Sequence, residues 1–329
     1  MPTSVRPPDI LTIDVEEWFH GHNYLHVVPP ERWDEQEMRV VANTDRCLDL
    51  LRRYDVRATF FVLGWTAVRQ PALVARIAAA GHEIGCHSHA HPVVYDLDDD
   101  SFRRDLAAAL AALRDAGVSR VAGYRAPSFS LTPPVHRFLH VLREAGFRYD
   151  CSIFPIRHPR YGQPGSPREP FLLDVGPVAG SGSPVPAAAA GGNPASAGPG
   201  TAADADPRAD GLVVVPMTTW RVATLNVPFA GGGYLRLLPW PAYAFLRDRA
   251  LAQGQPNIIY LHPWELDGYR PRVGQSRLGR WRSQGGQDSM PRKVERLLRL
   301  GRFATMGEYV EERRRSGELP VRTLPVVGT

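Results

Sequence analysis

The sequence predicts an α/β fold, a distorted (β/α) barrel with a helical extension at its carboxy end. Three observations predict it. Short β-rich apolar runs alternate with helical periodicities from Ile10 to Gly146. Such alternation favours a mainly parallel sheet. Acidic, histidine and arginine residues fall where strands end, the edge at which (β/α) barrels carry their chemistry.

Ile10 to Val15 reads as a short apolar strand with a carboxylate near its end. Asn43 to Tyr54 has helical spacing, with Cys47, Leu48, Leu50 and Leu51 on its apolar side. Val56 to Leu63 is rich in β-formers. Pro71 to Ala80 reads as a helix capped by Gly81, and His82 to Cys86 as a strand. Ser101 to Ala116 is a helix closed by Gly117, Val121 to Tyr124 a strand, and Pro133 to Ala145 a helix closed by Gly146.

The pattern then stops. Gly176 to Asp210 is almost entirely Ala, Gly, Pro, Ser and Asp, has no aromatic residue, and reads as a disordered insertion. Strand-like sequence resumes at Leu212 to Pro216 and at Asn257 to His262, so the insertion reads as a surface excursion within one domain. Because a longer loop adds little closure cost, Phe171 to Val175 and Leu212 to Pro216 are expected to meet. Pro291 to Leu300 reads as a basic amphipathic helix packed over the barrel, with membrane contact the lesser alternative. The expected organisation is one catalytic domain over 9–300, the insertion at 176–210, and a tail at 301–329.

Composition narrows the partners. The chain has 329 residues, 43% of them hydrophobic, enough for one domain of barrel size. Its net charge is +5, but the basic residues are nearly all arginine and are scattered among acids, which argues against a nucleic-acid partner. Three cysteines form no paired framework and suit a reducing compartment. The first residues lack the apolar run of a secretory signal, and no stretch approaches the roughly 18 apolar residues of a membrane span. These features together predict a soluble cytoplasmic protein.

Four clusters carry chemistry. Asp14-Val15-Glu16-Glu17 places two carboxylates on one face of a strand, since residues two apart point the same way. Adjacent carboxylates repel unless a cation or a shared proton relieves them, although alone such a pair is more often a solvated turn. His87-Ser88-His89-Ala90-His91-Pro92 holds three histidines in five residues. His87 and His91 would share a face if the segment made one helical turn, with His89 pointing away. Neutral imidazoles so spaced suit Zn²⁺ or a similar ion, and two histidines with one carboxylate leave room for water and substrate. Arg125, near a strand end, can orient a carboxylate through a bidentate contact and keep it ionised. His262 follows the apolar run Ile258-Ile259, again at a strand end.

In this order the clusters resemble the polysaccharide deacetylase family, the NodB-like carbohydrate esterases of family 4. The resemblance runs from about Leu11 to His262. Asp14 matches the family's base. The usual adjacent Asp-Asp is here Asp14-Val15-Glu16, so the implied metal ligand is Glu16, with Glu17 as the alternative. The second motif, His-Ser-x-x-His-Pro, is matched in full from His87 to Pro92, which makes His87 and His91 the other implied ligands. Arg125 and Pro127 match the third motif, Tyr149-Asp150-Cys151-Ser152 the fourth, and Leu261-His262-Pro263 the fifth. Asp14 to Phe19, Gly231 to Pro239 and His262 to Asp267 are similar to deacetylases encoded with bacterial exopolysaccharide and exosortase systems.

The resemblance implies hydrolysis of the N-acetyl amide of N-acetylhexosamine residues in an exopolysaccharide, with a divalent metal, Zn²⁺ foremost. Asp14 would be the base, Arg125 its holder and His262 the acid that protonates the departing amine. A backbone N–H near Ser128 would complete the oxyanion hole. Trp18, Phe19 and Trp264 either face sugar rings or pack in the core. The implied partners are an acetylated glycan and the exopolysaccharide synthesis machinery. Two other readings fit the residues: a hydrolase of small cyclic amides or imides on the same fold, and a non-catalytic carbohydrate-binding protein.

Overall fold

The structure, a computed structural model, describes residues 6–22, 24–158, 160–174, 211–269, 281 and 284–324. The elements of the amino-terminal half follow the alternation in the sequence: β1 (Asp9–Val15), α1 (Val40–Arg53), β2 (Thr59–Val62), α2 (Gly64–Arg69), α3 (Pro71–Ala79), β3 (Glu83–Cys86), α4 (Asp99–Asp115), β4 (Gly123–Tyr124), α5 (Phe138–Glu144) and β5 (Tyr149–Asp150). The carboxy-terminal half adds β6 (Phe171–Leu173), β7 (Val213–Val214), the hairpin β8 (Thr219–Val222) and β9 (Leu225–Pro228), α6 (Gly232–Leu237), α7 (Trp240–Ala252), β10 (Asn257–Leu261), α8 (Met290–Leu298), α9 (Met306–Arg315) and β11 (Val321–Arg322).

One sheet runs in the order β10-β1-β2-β3-β4-β5-β7-β6-β11. Every neighbouring pair in it is parallel except β6 with β7. Among the described residues β10 and β11 do not pair with each other, so the barrel is open. The runs flanking 176–210 meet, Phe171 opposite Val214 and Leu172 opposite Val213. The expected insertion itself lies outside the described residues.

The two faces of β1 separate the core. Leu11, Ile13 and Val15 join the main cluster beneath the helices. Ile10 belongs to a second cluster inside the curved sheet, with Phe61, Met217 and Ile258. By the period of two, Thr12 and Asp14 share that inner face, and Asp14 stands at its carboxy end.

Residues 301–329, expected as a tail, contain structure that belongs to the sheet. The start of α9 docks across the beginnings of three strands. Ala304 N–H donates to Asp9 O at 3.1 Å, Met306 N–H to Thr59 Oγ1 at 2.8 Å, and Gly307 N–H to Glu83 Oε2 at 2.8 Å. Met306, Tyr309 and Val310 enter the inner cluster, and β11 extends the sheet beyond β6. The sequence signal was hidden because this helix is charge-rich and buries few apolar residues. α2, α6, α7 and the β8–β9 hairpin were likewise not anticipated, being short or weakly amphipathic.

If α9 is part of the fold, Met306→Ala will cost about 2–5 kcal/mol, as buried Met→Ala changes do. Denaturant unfolding of the purified variant measures it. A change within error would mean that α9 is only loosely attached.

Candidate metal centre and active site

The site gathers at the carboxy ends of β1, β3, β4 and β10, opposite the end that α9 closes. Glu16 follows β1, in a turn where its N–H donates to Asp14 O at 3.0 Å. Its Oε2 lies 2.8 Å from His91 Nε2 and 3.8 Å from His87 Nε2. One ligand atom from each of Glu16, His87 and His91 falls within 4.8 Å of the others, and all three residues are buried.

The residues fit a divalent ion. Glu16 Oε2 is buried and lacks a hydrogen-bond donor although His91 Nε2 is close, the situation a shared cation resolves. His87 Nδ1 contacts the Arg125 carbonyl at 2.8 Å, which assigns the proton to Nδ1 and leaves an Nε2 lone pair toward Glu16. Burial lowers the His87 pKa, favouring the neutral imidazole that binds metal. Burial raises the Glu16 pKa, but His91, His262 and His87 outweigh it and hold the carboxyl well below its ordinary range.

The two histidines converge without a helical turn. Residues 87–91 form a loop with Ser88 at φ 68° and His91 at φ 52°. Left-handed backbone at non-glycine residues persists only when its surroundings hold it. Asp105 on α4 does so. It accepts Ser88 Oγ–H, His89 N–H at 2.9 Å and Ala90 N–H at 3.1 Å. The start of α2 takes the loop carbonyls, Gly64 N–H donating to Ser88 O and Trp65 N–H to His89 O, both at 2.9 Å. His89 packs against Gly64 and does not line the cavity. Asp105 was missed because an acid on an amphipathic helix looks like solvated surface.

Glu17 faces away from this group. Its Oε1 accepts the backbone N–H of Arg39 and of Val40 at 2.6 Å, at the entry to α1. Burial pushes its carboxyl up to about 7. His20 braces the same turn, with Nδ1 accepting Glu17 N–H at 3.0 Å. Its ring lies edge-on to Trp33 and Trp65, and burial lowers its pKa to about 3.

Arg125 is completely buried. One terminal nitrogen donates both to Asp14 Oδ1 and to Thr12 Oγ1, each at 2.7 Å. The expected bidentate contact is therefore a contact through one nitrogen, because Thr12 on the same inner face shares it. The guanidinium lies over Phe61, 4.3 Å from the ring centroid. Asp150 of the fourth motif bonds Ser152, whose Oγ accepts Ala126 N–H at 2.8 Å, so it supports the Arg125 strand end from beneath. Burial raises its pKa to about 6.

His262 completes the ring of groups. Its Nε2 is 3.5 Å from Glu16 Oε1, and its Nδ1 is 3.3 Å from Glu265 Oε2. Burial lowers its pKa, but Glu265, Glu16 and Asp14 outweigh this and raise it to about 9. Asp14, Glu16, His87, His91, Arg125 and His262 all line one cavity of about 310 Å³. Tyr24, Tyr95, Phe129, Tyr161 and Trp264 contribute aromatic surface to it. Ser128 is also in the lining and, with Phe129, adopts positive φ. Of the tryptophans weighed as sugar platforms, Trp264 reaches the cavity. Trp18 and Phe19 are buried in an aromatic cluster.

Residues 33–149 match the family described as polysaccharide deacetylase. That segment of the chain belongs to the polysaccharide deacetylase family. The next stretch of the chain, residues 151–311, matches a domain of unknown function, DUF3473. A peptidoglycan-N-acetylglucosamine deacetylase of Bacillus cereus is 38% identical over 96 residues, 29% of this chain and 32% of that protein. A chitooligosaccharide deacetylase of Rhizobium leguminosarum bv. trifolii is 40% identical over 63 residues, 19% of this chain and 29% of that protein. The chain thus spans about a third of the length of these curated relatives.

Two solved structures share the fold. A candidate polysaccharide deacetylase from Mycobacterium smegmatis has TM-score 0.59 at 21% identity, covering 100% of this chain and 98% of that one. The PuuE allantoinase has TM-score 0.55 at 17% identity, covering 96% and 93%. No helix among the described residues is long and apolar enough to cross a membrane.

Asp105→Ala removes the acceptor of three loop donors, so metal affinity should fall about 10- to 100-fold, as loss of outer-shell support does elsewhere. Calorimetric titration of metal-free protein with Zn²⁺ measures it. Unchanged affinity would mean that the loop holds its shape without Asp105.

Proposed function

We propose that this protein is a metal-dependent N-deacetylase that hydrolyses the N-acetyl amide of N-acetylhexosamine residues in a polysaccharide. One observation carries the reading: a carboxylate held by a buried arginine, a Glu-His-His cluster and a histidine backed by a carboxylate line the same cavity. The names of the relatives support an acetylated glucosamine polymer as substrate. The finer reading adds Zn²⁺ at Glu16, His87 and His91, a bacterial exopolysaccharide as the polymer, and a place beside its synthesis machinery.

A divalent ion supplies Lewis-acid polarisation of the acetyl carbonyl and a lowered water pKa. Asp14 takes the proton of the attacking water while Arg125 fixes its carboxylate. The water oxygen bonds to the acetyl carbon and the C–N bond breaks. His262 passes its Nε2 proton to the departing nitrogen, because an amide anion is too basic to leave unprotonated. Acetate and a free sugar amine result. The aromatic walls offer apolar faces to the sugar ring, as amphipathic aromatic side chains do.

The direct test is acetate release from N-acetylglucosamine oligomers, with and without chelator. Release that stops with chelator and returns with Zn²⁺ supports the reading; no release by metal-loaded protein overturns it.

Two variants separate ligand from base. The double variant His87→Ala/His91→Ala should keep its circular dichroism and lose stoichiometric metal by elemental analysis. Retained metal would remove these histidines from the site.

Asp14→Asn should lower turnover by about 10²- to 10⁴-fold, the usual range for a general base, and keep the metal. Glu16→Gln should lose the metal. The opposite pattern would exchange the roles of the two acids.

A further inference from the structure

Gly231, Gly232 and Gly233 lead into α6. A Cβ on Gly232 would stand 1.9 Å from Glu265 Oε2 and 2.6 Å from Oε1. The space a side chain would fill is occupied by the Glu265 carboxylate. Within the same helix, Arg236 donates Nε–H to Glu265 Oε1 at 2.9 Å and a terminal N–H to Gly285 O at 2.7 Å. The helix is itself clamped. Lys293 Nζ, from α8, donates to the carbonyls of Leu235, Arg236 and Leu238 at 2.9, 2.8 and 2.7 Å.

The other oxygen of Glu265 serves His262. Oε2 accepts His262 N–H at 3.0 Å and faces its Nδ1 at 3.3 Å. A carboxylate on Nδ1 fixes the proton there, sets the plane of the ring and directs Nε2 outward. Nε2 is the nitrogen on the Glu16 side. Asp150, the carboxylate of the fourth motif, is bonded to Ser152. The pair Arg236–Glu265 is almost fully buried. Such pairs contribute little net stability compared with well-packed apolar residues, which leaves the contact with His262 to account for the charge.

We infer that Glu265 is the positioning residue for His262, with Gly232 and Arg236 holding Glu265 in place. It follows that the segment matched by the domain of unknown function supplies the leaving-group half of the reaction. The metal cluster, Asp14 and Arg125 all precede that segment, whereas His262, Glu265, Arg236 and Gly232 lie within it. This inference rests on the deacetylase reading for its chemistry but on separate residues for its geometry.

The test compares two acetyl donors that differ in leaving group. An N-acetylglucosamine oligomer needs a proton on its departing nitrogen, whereas 4-nitrophenyl acetate releases a stable aryl oxide without one. For Glu265→Gln, kcat on the amide should fall about 10- to 100-fold, the range for loss of an orienting carboxylate. KM and metal content should stay near the parent values, and the ester rate should change less than about threefold, since no acid is required. Gly232→Ala displaces Glu265 without altering its charge and should give the same split. It serves in place of Glu265→Gln if that variant does not fold. Glu265→Asp should recover part of the amide rate.

Equal losses on amide and ester, or an undiminished amide rate, would overturn the inference. A second measurement is independent of turnover. In metal-loaded protein labelled with ¹⁵N, the His262 Nδ1 proton should be a downfield, slowly exchanging NMR signal that is lost in Glu265→Gln. Its persistence in the variant would overturn the positioning role. If the parent releases no acetate from the amide, the deacetylase reading fails, and this signal still decides whether Glu265 holds His262.

Discussion

The site depends on one buried positive charge. The Arg125 guanidinium has no exposure, and an isolated cation there would be strongly unfavourable. Asp14 and Thr12 provide the compensating oxygens, and Phe61 lies under the planar group. The main-chain carbonyl of the same residue accepts from His87 Nδ1. Asp14 and Thr12 come from β1, Phe61 from β2, His87 from the end of β3 and Arg125 from the end of β4. These strands are successive neighbours in the sheet. The register Asp14 opposite Phe61, Val62 opposite Cys86 and Cys86 opposite Tyr124 is thereby also the register of the chemistry. A slip of one residue in any pair would turn Asp14, His87 or Arg125 out of the cavity.

Much of this was legible in the sequence, for an identifiable reason. Strand-end residues sit directly beside their strands in the chain, so Asp14, Glu16, His87, Arg125 and His262 could be read from local pattern alone. The parallel α/β class was legible from the same alternation. What escaped was side-chain support arriving from distant elements. Asp105 reaches the histidine loop from the middle of α4. Arg236 reaches Glu265 from a six-residue helix whose start is nearly all glycine. Neither has a periodic or spacing signal. Glu265 had one, since a carboxylate three residues after His262 can return to its backbone N–H as in a capping box. The segment His87 to His91 makes no helical turn for a related reason: Asp105 and the start of α2 satisfy the loop's donors and carbonyls, so it needs no helical bonds of its own.

The sheet also relates the two matched segments. Residues 33–149 end at Tyr149, the first residue of β5, and β7, from the following segment, pairs directly with β5. β10 returns to the opposite flank and pairs with β1. The segment of unknown function therefore contributes strands on both sides of the amino-terminal strands and is continuous with them. Its strands β7 and β10 bond to β5 and β1, and the inner core draws Phe61 from one segment and Met217 and Ile258 from the other.

Lys293 is the sole lysine in the sequence, and its ammonium is bound to three carbonyls at the end of α6. Reagents that acylate amines, the usual choice for crosslinking a protein to its neighbours or fixing it to a resin, find one side-chain target here, and that target is already engaged. Acylating it would remove the charge that closes α6 and disturb the very helix that bears Arg236. Partner mapping and immobilisation on this protein are better directed at carboxylates or arginines, which are distributed over the surface.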